Sequence, residues 1–185
     1  MQAAARAQPF ADWPARAARL PALKRMLVEN SRRFAQAIAR DFGQRPQAET
    51  DLAEIFPALA GIRHALRHGR GWMRRRPART GLWFRPARAW VQPRPLGVVG
   101  IVVPWNYPVF LSIGPLTDAL AAGNRVMVKL SEHAPGFAEA FAETVAEHFD
   151  PDVLAVVTGG PEVAAGFTAL PFDHLLFTGS TKIGR

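Results

Sequence analysis

Residues Leu96–Pro108 read Leu-Gly-Val-Val-Gly-Ile-Val-Val-Pro-Trp-Asn-Tyr-Pro, and this stretch decides the fold. Six of its first eight residues are apolar, the other two are Gly97 and Gly100, and no charge interrupts them. A short uncharged run, rich in β-branched residues and closed by Pro104, is the pattern of a strand buried on both faces. A Pro-Trp-Asn-Tyr-Pro corner follows, then a helical apolar pattern from Phe110 to Ala122 that Gly123 closes. In α/β sheets ligands sit outside the carboxyl ends of the strands, so chemistry is expected at this corner.

The alternation continues downstream. Apolar runs predict strands at about 97–103, 125–130, 153–158 and 174–178, with helices at about 110–122, 136–149 and 161–170 between them. Phe137, Phe141, Val145 and Phe149 recur every four residues, and Pro161 suits a first helical turn. Strands alternating with helices of this length imply right-handed crossovers and a parallel sheet. The expected class is α/β, with N-terminal helices followed by a Rossmann-like parallel sheet over residues 96–185.

Upstream, residues 1–11 are Ala-rich and patternless, and are expected to fray. Leu20, Leu23, Leu27, Phe34, Ile38 and Phe42 mark one stripe of a helix over Arg16–Phe42, which Gly43 stops. Thr50 is read as the N-cap of a second helix, with Asp51 and Glu54 near its positive end. Leu52, Ile55, Phe56, Leu59, Ile62 and Leu66 form its stripe, and Pro57 kinks it or falls in its first turn. These helices make up an N-terminal unit, residues 1–80. Leu82–Phe84 and Ala89–Gln92 are read as two strands, and Pro86, Pro93 and Pro95 keep them at an edge or protruding. Trp83, Phe84 and Trp90 are costly to leave in water, so the 81–95 ribbon is expected to lie against another subunit or domain.

The chain has 185 residues and no cysteine, which excludes disulfides, thiolate–metal sites and a cysteine nucleophile within it. No apolar stretch has the length of a membrane span and the Arg-broken N-terminus lacks a signal core, so a soluble, cytoplasmic protein without membrane partners is expected. Residues 1–95 carry 19 Lys+Arg against 6 Asp+Glu, whereas residues 96–185 carry 4 against 9. The basic half suits an anionic partner: a nucleic acid, a membrane surface, or an acidic face of another domain. Arg63 to Arg94 holds ten arginines and no acid. No RNP-type, zinc or helix-turn-helix signature accompanies them, which argues against nucleic acid.

Three strand ends carry suggestive chemistry. Asn106, flanked by Pro104 and Pro108, offers a carboxamide donor that either stabilises an oxyanion or caps the following helix. Lys129 and Glu132, three apart past a buried strand, suit the hydroxyls of a ribose, or form a solvated ion pair. Phe177-Thr178-Gly179-Ser180 before a starting helix makes an anion site from backbone N–H groups, or a plain capped turn. Gly159-Gly160-Pro161 adds a further helix start. Neither Gly-x-Gly-x-x-Gly nor Walker A is present in this part. Together the strand ends suggest a dinucleotide lying along the carboxyl edge of the sheet.

The run Pro95–Pro108, Ala-Leu-Ala-Ala-Gly-Asn at 119–124 and Pro-Phe-Asp-His-Leu-Leu-Phe-Thr-Gly-Ser-Thr at 171–181 together resemble the N-terminal part of an aldehyde dehydrogenase. The Asn-Tyr-Pro corner, Asp41-Phe42-Gly43 and Trp72-Met73 are similar to the branch of coniferyl aldehyde dehydrogenases and class 3 enzymes. The resemblance implies that Asn106 gives its amide to a thiohemiacetal oxyanion, and that Val103, Pro104 and Trp105 line the nicotinamide end of the cleft. It implies that Lys129 and Glu132 bind the adenine ribose, that Gly160 and Ala165 border the adenine, and that Gly179 and Ser180 meet the pyrophosphate beside Phe177, Thr178 and Ile183. NAD is favoured over NADP, because Glu132 repels a 2′-phosphate while Lys129 offsets part of that repulsion. Leu130 departs from the proline of many relatives. The implied substrate is an aromatic aldehyde, and the implied assembly of the full-length enzyme is a homodimer. The family's cysteine and glutamate motifs lie beyond a helix starting at Ile183. These residues are therefore expected to carry the cofactor wall and oxyanion donor without nucleophile or base, and to be inactive alone. A stand-alone nucleotide-binding module is the alternative.

Overall fold

A computed structural model describes residues 1–184. Helix α1 covers Gln2–Ala7, in place of the frayed start expected from composition. Its N-terminal ammonium sits 2.7 Å from Asp152 and Gln2 Nε2 donates to Pro171 O at 2.7 Å, so distant partners order a segment with no apolar pattern. Helix α2 spans Trp13–Asp41; the Asp12 side chain caps it by accepting from Ala15 N at 3.0 Å. Leu20, Leu23, Leu27, Phe34 and Ile38 are all buried on one face. Gly43, at φ 85°, takes the left-handed position after its end.

The second helical stretch departs from its expected register. It begins with α3, Gln47–Thr50, passes through a π turn over Asp51–Ile55, and continues as α4, Phe56–Trp72. Thr50 is therefore a buried helical residue and not a cap. Pro57 has no N–H for the carbonyl one turn back, and the ladder widens immediately before it. The extra residue in that turn rotates the face. Glu54 and Ile55 turn inward, while Leu52 and Phe56, read as core from the stripe, are exposed.

Strands β1, Arg76–Ala78, and β2, Ala89–Val91, form an antiparallel two-stranded ribbon. Leu82–Phe84, expected as a strand, is a 3₁₀ turn at the ribbon's tip. Its apolar residues have no facing ladder, and the ladder partner of β2 is the Arg76-Pro77-Ala78 segment. Leu82, Trp83, Phe84, Trp90 and Val91 are all exposed, Trp83 at 94%.

The sheet follows as expected: β3 Val98–Val102, α5 Pro108–Ala121, β4 Arg125–Lys129, α6 Pro135–His148, β5 Leu154–Val157, α7 Pro161–Thr168 and β6 His174–Phe177. All pairings are parallel, in the order β5-β4-β3-β6. The chain steps outward from β3 to β5 and returns to the other side of β3, which places α7 opposite α5 and α6. Val99, Ile101, Val126, Val128 and Leu154 join the core with α5, α6, α2 and α4. On the opposite face Phe172 and Leu175 close over Gly100, where a Cβ would meet them at 2.7 and 2.8 Å. No helix among the described residues is long and apolar enough to cross a membrane. The helix expected from Ile183 extends to Arg185, which lies outside the described residues; Ile183 N itself donates to Ser180 O within a turn.

The N-terminal layer docks through carboxylates. Asp41, at the end of α2, accepts from Gly136 N at 3.0 Å and Phe137 N at 2.9 Å, capping α6 from another element. Asp41→Ala is expected to lose about 1 kcal/mol, lowering the melting temperature by about 2–4 °C. Asp41→Asn, which keeps one acceptor, should lose less in the same thermal melt.

Candidate functional site

The four parallel strands end at one edge, and the ladder register aligns their last residues. Val157, Lys129, Val102 and Phe177 lie in a single row across β5, β4, β3 and β6. At ordinary strand spacing that row spans about 14 Å. The predicted site residues all lie on this row or in the loops and short helix that leave it.

From β3 the chain enters the corner. Val103 is buried and donates to Lys129 O at 3.0 Å. Trp105 is half-exposed, with its ring edge-to-face on Phe42 at 5.7 Å. Asn106 is exposed. The first helical residue of α5 is Pro108, and no local side chain caps the helix. The cap comes instead from Glu54, whose Oε2 accepts from Val109 N at 2.7 Å and Phe110 N at 3.1 Å. Of the two roles open to Asn106 in sequence, the capping one therefore belongs to another residue. Its carboxamide makes no hydrogen bond among the described residues, while its backbone carbonyl accepts from Arg45 Nη1 at 3.0 Å.

Arg45 and Glu54 were not legible as site residues. Glu54 is fully buried and pairs with Arg45 at 3.0 Å; Arg45 Nε lies 3.1 Å from Glu49. The Arg45 guanidinium sits 4.8 Å from the Tyr107 ring centroid and 5.8 Å from that of Phe42. Burial raises the Glu54 pKa above the usual carboxylate value, against the two backbone donors and Arg45. The one sequence signal was an acid beside Ile55 on an otherwise apolar face; Arg45, between Gly43 and Pro46, carried none.

At the β4 exit the Lys129 ammonium points inward. It donates to Leu130 O at 2.6 Å and Gly159 O at 2.8 Å, and lies 3.8 Å from Glu132. The lysine thus ties its own strand end to the turn that starts α7. Burial lowers its pKa from the ordinary lysine value and Glu132 opposes that shift. Glu132 is exposed just past the strand end, with its other carboxylate oxygen 3.8 Å from His133 Nε2. Gly159 has φ 132°, which favours glycine, and Gly160 stands at the N-cap of α7. Ala165 lies on the exposed face of that helix.

At the β6 exit Thr178 N donates to Val102 O at 3.1 Å. The Phe177 ring folds over Gly179, where an added Cβ would lie 2.5 Å from it, and over Gly184. Gly184 N and Ile183 N both donate to Ser180 O at 3.1 Å. Ser180 and Ile183 are exposed on this turn. A side chain at Gly179 would displace the ring, so the glycine is what lets Phe177 pack on this loop. No group of three or more metal-ligating side chains occurs among the described residues.

A family model described as "Aldehyde dehydrogenase family" matches residues 1–185. A probable coniferyl aldehyde dehydrogenase of Pseudomonas aeruginosa is 50% identical over 184 residues, covering 100% of this chain and 39% of that protein. A coniferyl aldehyde dehydrogenase of Pseudomonas sp. is 41% identical, covering 95% of this chain and 36% of the relative. A solved structure of Staphylococcus aureus AldH in its substrate-bound state superposes with TM-score 0.94 at 30% identity, covering 99% of this chain and 40% of that one. The chain thus spans somewhat over a third of the length of the curated relatives it matches.

Lys129 generates a stability prediction. Its folded-state pKa is below the ordinary 10.5, so the fold prefers the neutral amine. The contribution of Lys129 to stability is full above the unfolded value and is lost as pH falls through the lowered one. Denaturant midpoints should show the parent gaining on Lys129→Met as pH rises from neutral towards 10.5. A gap independent of pH would rule out a titrating, desolvated ammonium.

Proposed function

The chain belongs to the aldehyde dehydrogenase family, and from that premise we propose that it forms the cofactor wall and oxyanion corner of an enzyme that oxidises an aromatic, coniferyl-type aldehyde to the acid with NAD. The observation that carries this reading is the exposed Asn106 carboxamide, free of any capping duty, at the middle of the aligned strand ends.

The residues present fit a dinucleotide. Lys129 and Glu132 hold the adenine ribose, with Gly160 and Ala165 at the base. Gly179 and Ser180 meet the pyrophosphate beside Phe177, Thr178 and Ile183, and Val103, Pro104 and Trp105 line the nicotinamide end. The exposed backbone turn at Gly179 and Ser180, directly after the end of β6, supports this fit. NAD, when bound, supplies the hydride acceptor. Asn106 donates its amide N–H to the oxyanion that develops when a thiolate from outside these residues adds to the aldehyde. A fixed donor beside two prolines loses little on reorganising, which is what such stabilisation requires. These residues alone carry no thiolate and are inactive without one.

The ribbon of residues 81–95, with Leu82, Trp83, Phe84, Trp90 and Val91 exposed, packs against a second copy in a cytoplasmic homodimer of the full-length enzyme.

In that enzyme Asn106→Ala is expected to lower turnover by about 10²–10³ while leaving NAD affinity unchanged. Equal losses in both, by stopped-flow and fluorescence titration, would return Asn106 to a packing role. Glu132→Gln is expected to narrow the preference for NAD over NADP severalfold, read as the ratio of kcat/KM values. An unchanged ratio would remove Glu132 from the ribose.

A further inference from the structure

We infer that Arg45, together with Glu54, is a positioning residue for Asn106: the pair holds the backbone at that residue's carbonyl and at the helix start that follows it, and so sets where the carboxamide points. The inference rests on the oxyanion role proposed above for Asn106.

The corner needs an external holder. Between Pro104 and Pro108 the three residues Trp105, Asn106 and Tyr107 are exposed. Among the described residues, the hydrogen-bond and aromatic contacts that other elements make to this corner come from one short segment, residues 42–54. Phe42 meets the Trp105 ring, Arg45 donates to the Asn106 carbonyl and lies over the Tyr107 ring, and Glu54 takes the first free N–H groups of α5. Arg45 and Glu54 are joined to each other at 3.0 Å, so the two grips on the corner move together.

The arrangement is a poor way to gain stability. Arg45 is 9% exposed and Glu54 0%. A buried ion pair recovers little more than its own desolvation, and a well-packed apolar pair of similar volume does as well or better. The pairing is also incomplete. Arg45 Nε and Nη2, Glu54 Oε1 and Thr50 Oγ1 are buried without a partner of hydrogen-bond geometry, although charged atoms stand close by. What the pair supplies, and an apolar pair cannot, is direction: a planar guanidinium set against one carbonyl and a carboxylate set against two amides. The peptide thus oriented carries the Asn106 side chain. A displacement of about 1 Å at a reacting centre costs up to about 10²-fold in rate.

The test is a double-mutant cycle in the full-length enzyme with NAD and an aromatic aldehyde. The variants are Arg45→Met, Asn106→Ala and both together, read by kcat, NAD dissociation constant and thermal melting. Arg45→Met is expected to lower kcat on the order of tenfold, with NAD affinity within about twofold. In the Asn106→Ala background it should cost nothing further, because its effect passes through a group no longer there. Arg45→Lys, which keeps a charge and a donor, should recover part of the loss, and it replaces Arg45→Met throughout the cycle if that variant does not fold. Additive losses, or parallel loss of NAD affinity, would overturn the clamp and leave Arg45 a packing residue. Arg45 variants that turn over normally while Asn106→Ala is crippled would sink the clamp and spare the oxyanion reading. An Asn106→Ala enzyme with undiminished turnover would sink both.

Discussion

Helix α5 starts at a proline and has no cap of its own. Its first free amides, Val109 N and Phe110 N, would be left unpaired at a buried helix start, and each such group costs about 1–3 kcal/mol. The carboxylate of Glu54 resolves this from a different helix, and the rest of the molecule is arranged around that necessity. The π turn at Asp51–Ile55 brings Glu54 inward; Arg45 neutralises it; α4 then lies along α5. The same solution recurs one unit along, where Asp41 caps α6. Two successive crossover helices thus take their N-terminal partners from the layer outside them. The N-terminal helices are part of the sheet's own hydrogen-bonding scheme and not a separate appendage.

This has a consequence at the edge where the strands end. A helix N-terminus that follows a strand is normally open to a ligand, because its amides and dipole point at the crevice. In α5 and α6 those amides are consumed by Glu54 and Asp41. The groups left facing the edge are side chains and loop backbone: the Asn106 carboxamide after β3, Glu132 after β4, and the glycine turns after β5 and β6. Lys129 serves the loops as well, since two of its three ammonium donors go to Leu130 O and Gly159 O and so fix the shape of the β5–α7 turn, which leaves one on the side of Glu132. A dinucleotide on this edge would meet a surface shaped by trans-capping rather than the helix-dipole cradle of a Gly-x-Gly-x-x-Gly fold, which agrees with the absence of that motif.

What could be read from sequence follows from how local each signal is. The β3–corner–α5 unit was legible because an uncharged run between glycines and prolines admits few conformations. The downstream strands and helices were legible by the same alternation. The 82–84 segment was misread because Leu-Trp-Phe has strand-like composition, while strandedness needs a partner, and the partner lies in Arg76–Ala78, where composition gave no hint. Leu52 and Phe56 were misread because a π turn changes which side chains face inward across that one stretch, and only Pro57 hinted at it; beyond the turn Leu59, Ile62 and Leu66 keep to the core as the stripe expects. Arg45 and Glu54 were missed for a different reason. A cap supplied from 55 residues away leaves no trace in spacing, and an acid near a helix start is ordinarily assigned to its own dipole.

The charge asymmetry can now be divided. Part of the basic N-terminal layer faces the acidic half of the same chain: Arg33 pairs with Glu143, the N-terminal ammonium with Asp152, and Arg16 and Arg19 donate to the carbonyls of Ala122 and Asn124. Exposed pairs of this kind contribute little to stability, so they orient the layers rather than hold them. The arginines from Arg63 to Arg94 form no ion pair among the described residues. Arg75 lies over Trp90 and Arg94 over Phe10, so part of this charge is laid on aromatic faces. The same stretch carries Leu82, Trp83 and Phe84 in the open. Unpaired cations and uncovered aromatics in one ribbon are the composition of an interface centre, where Arg and Trp dominate. The sheet edge that would take a cofactor and the ribbon that would take a partner are therefore separate surfaces, built by opposite means. At one, the free amides of the helix starts are taken up by Glu54 and Asp41; the other is left charged and apolar together.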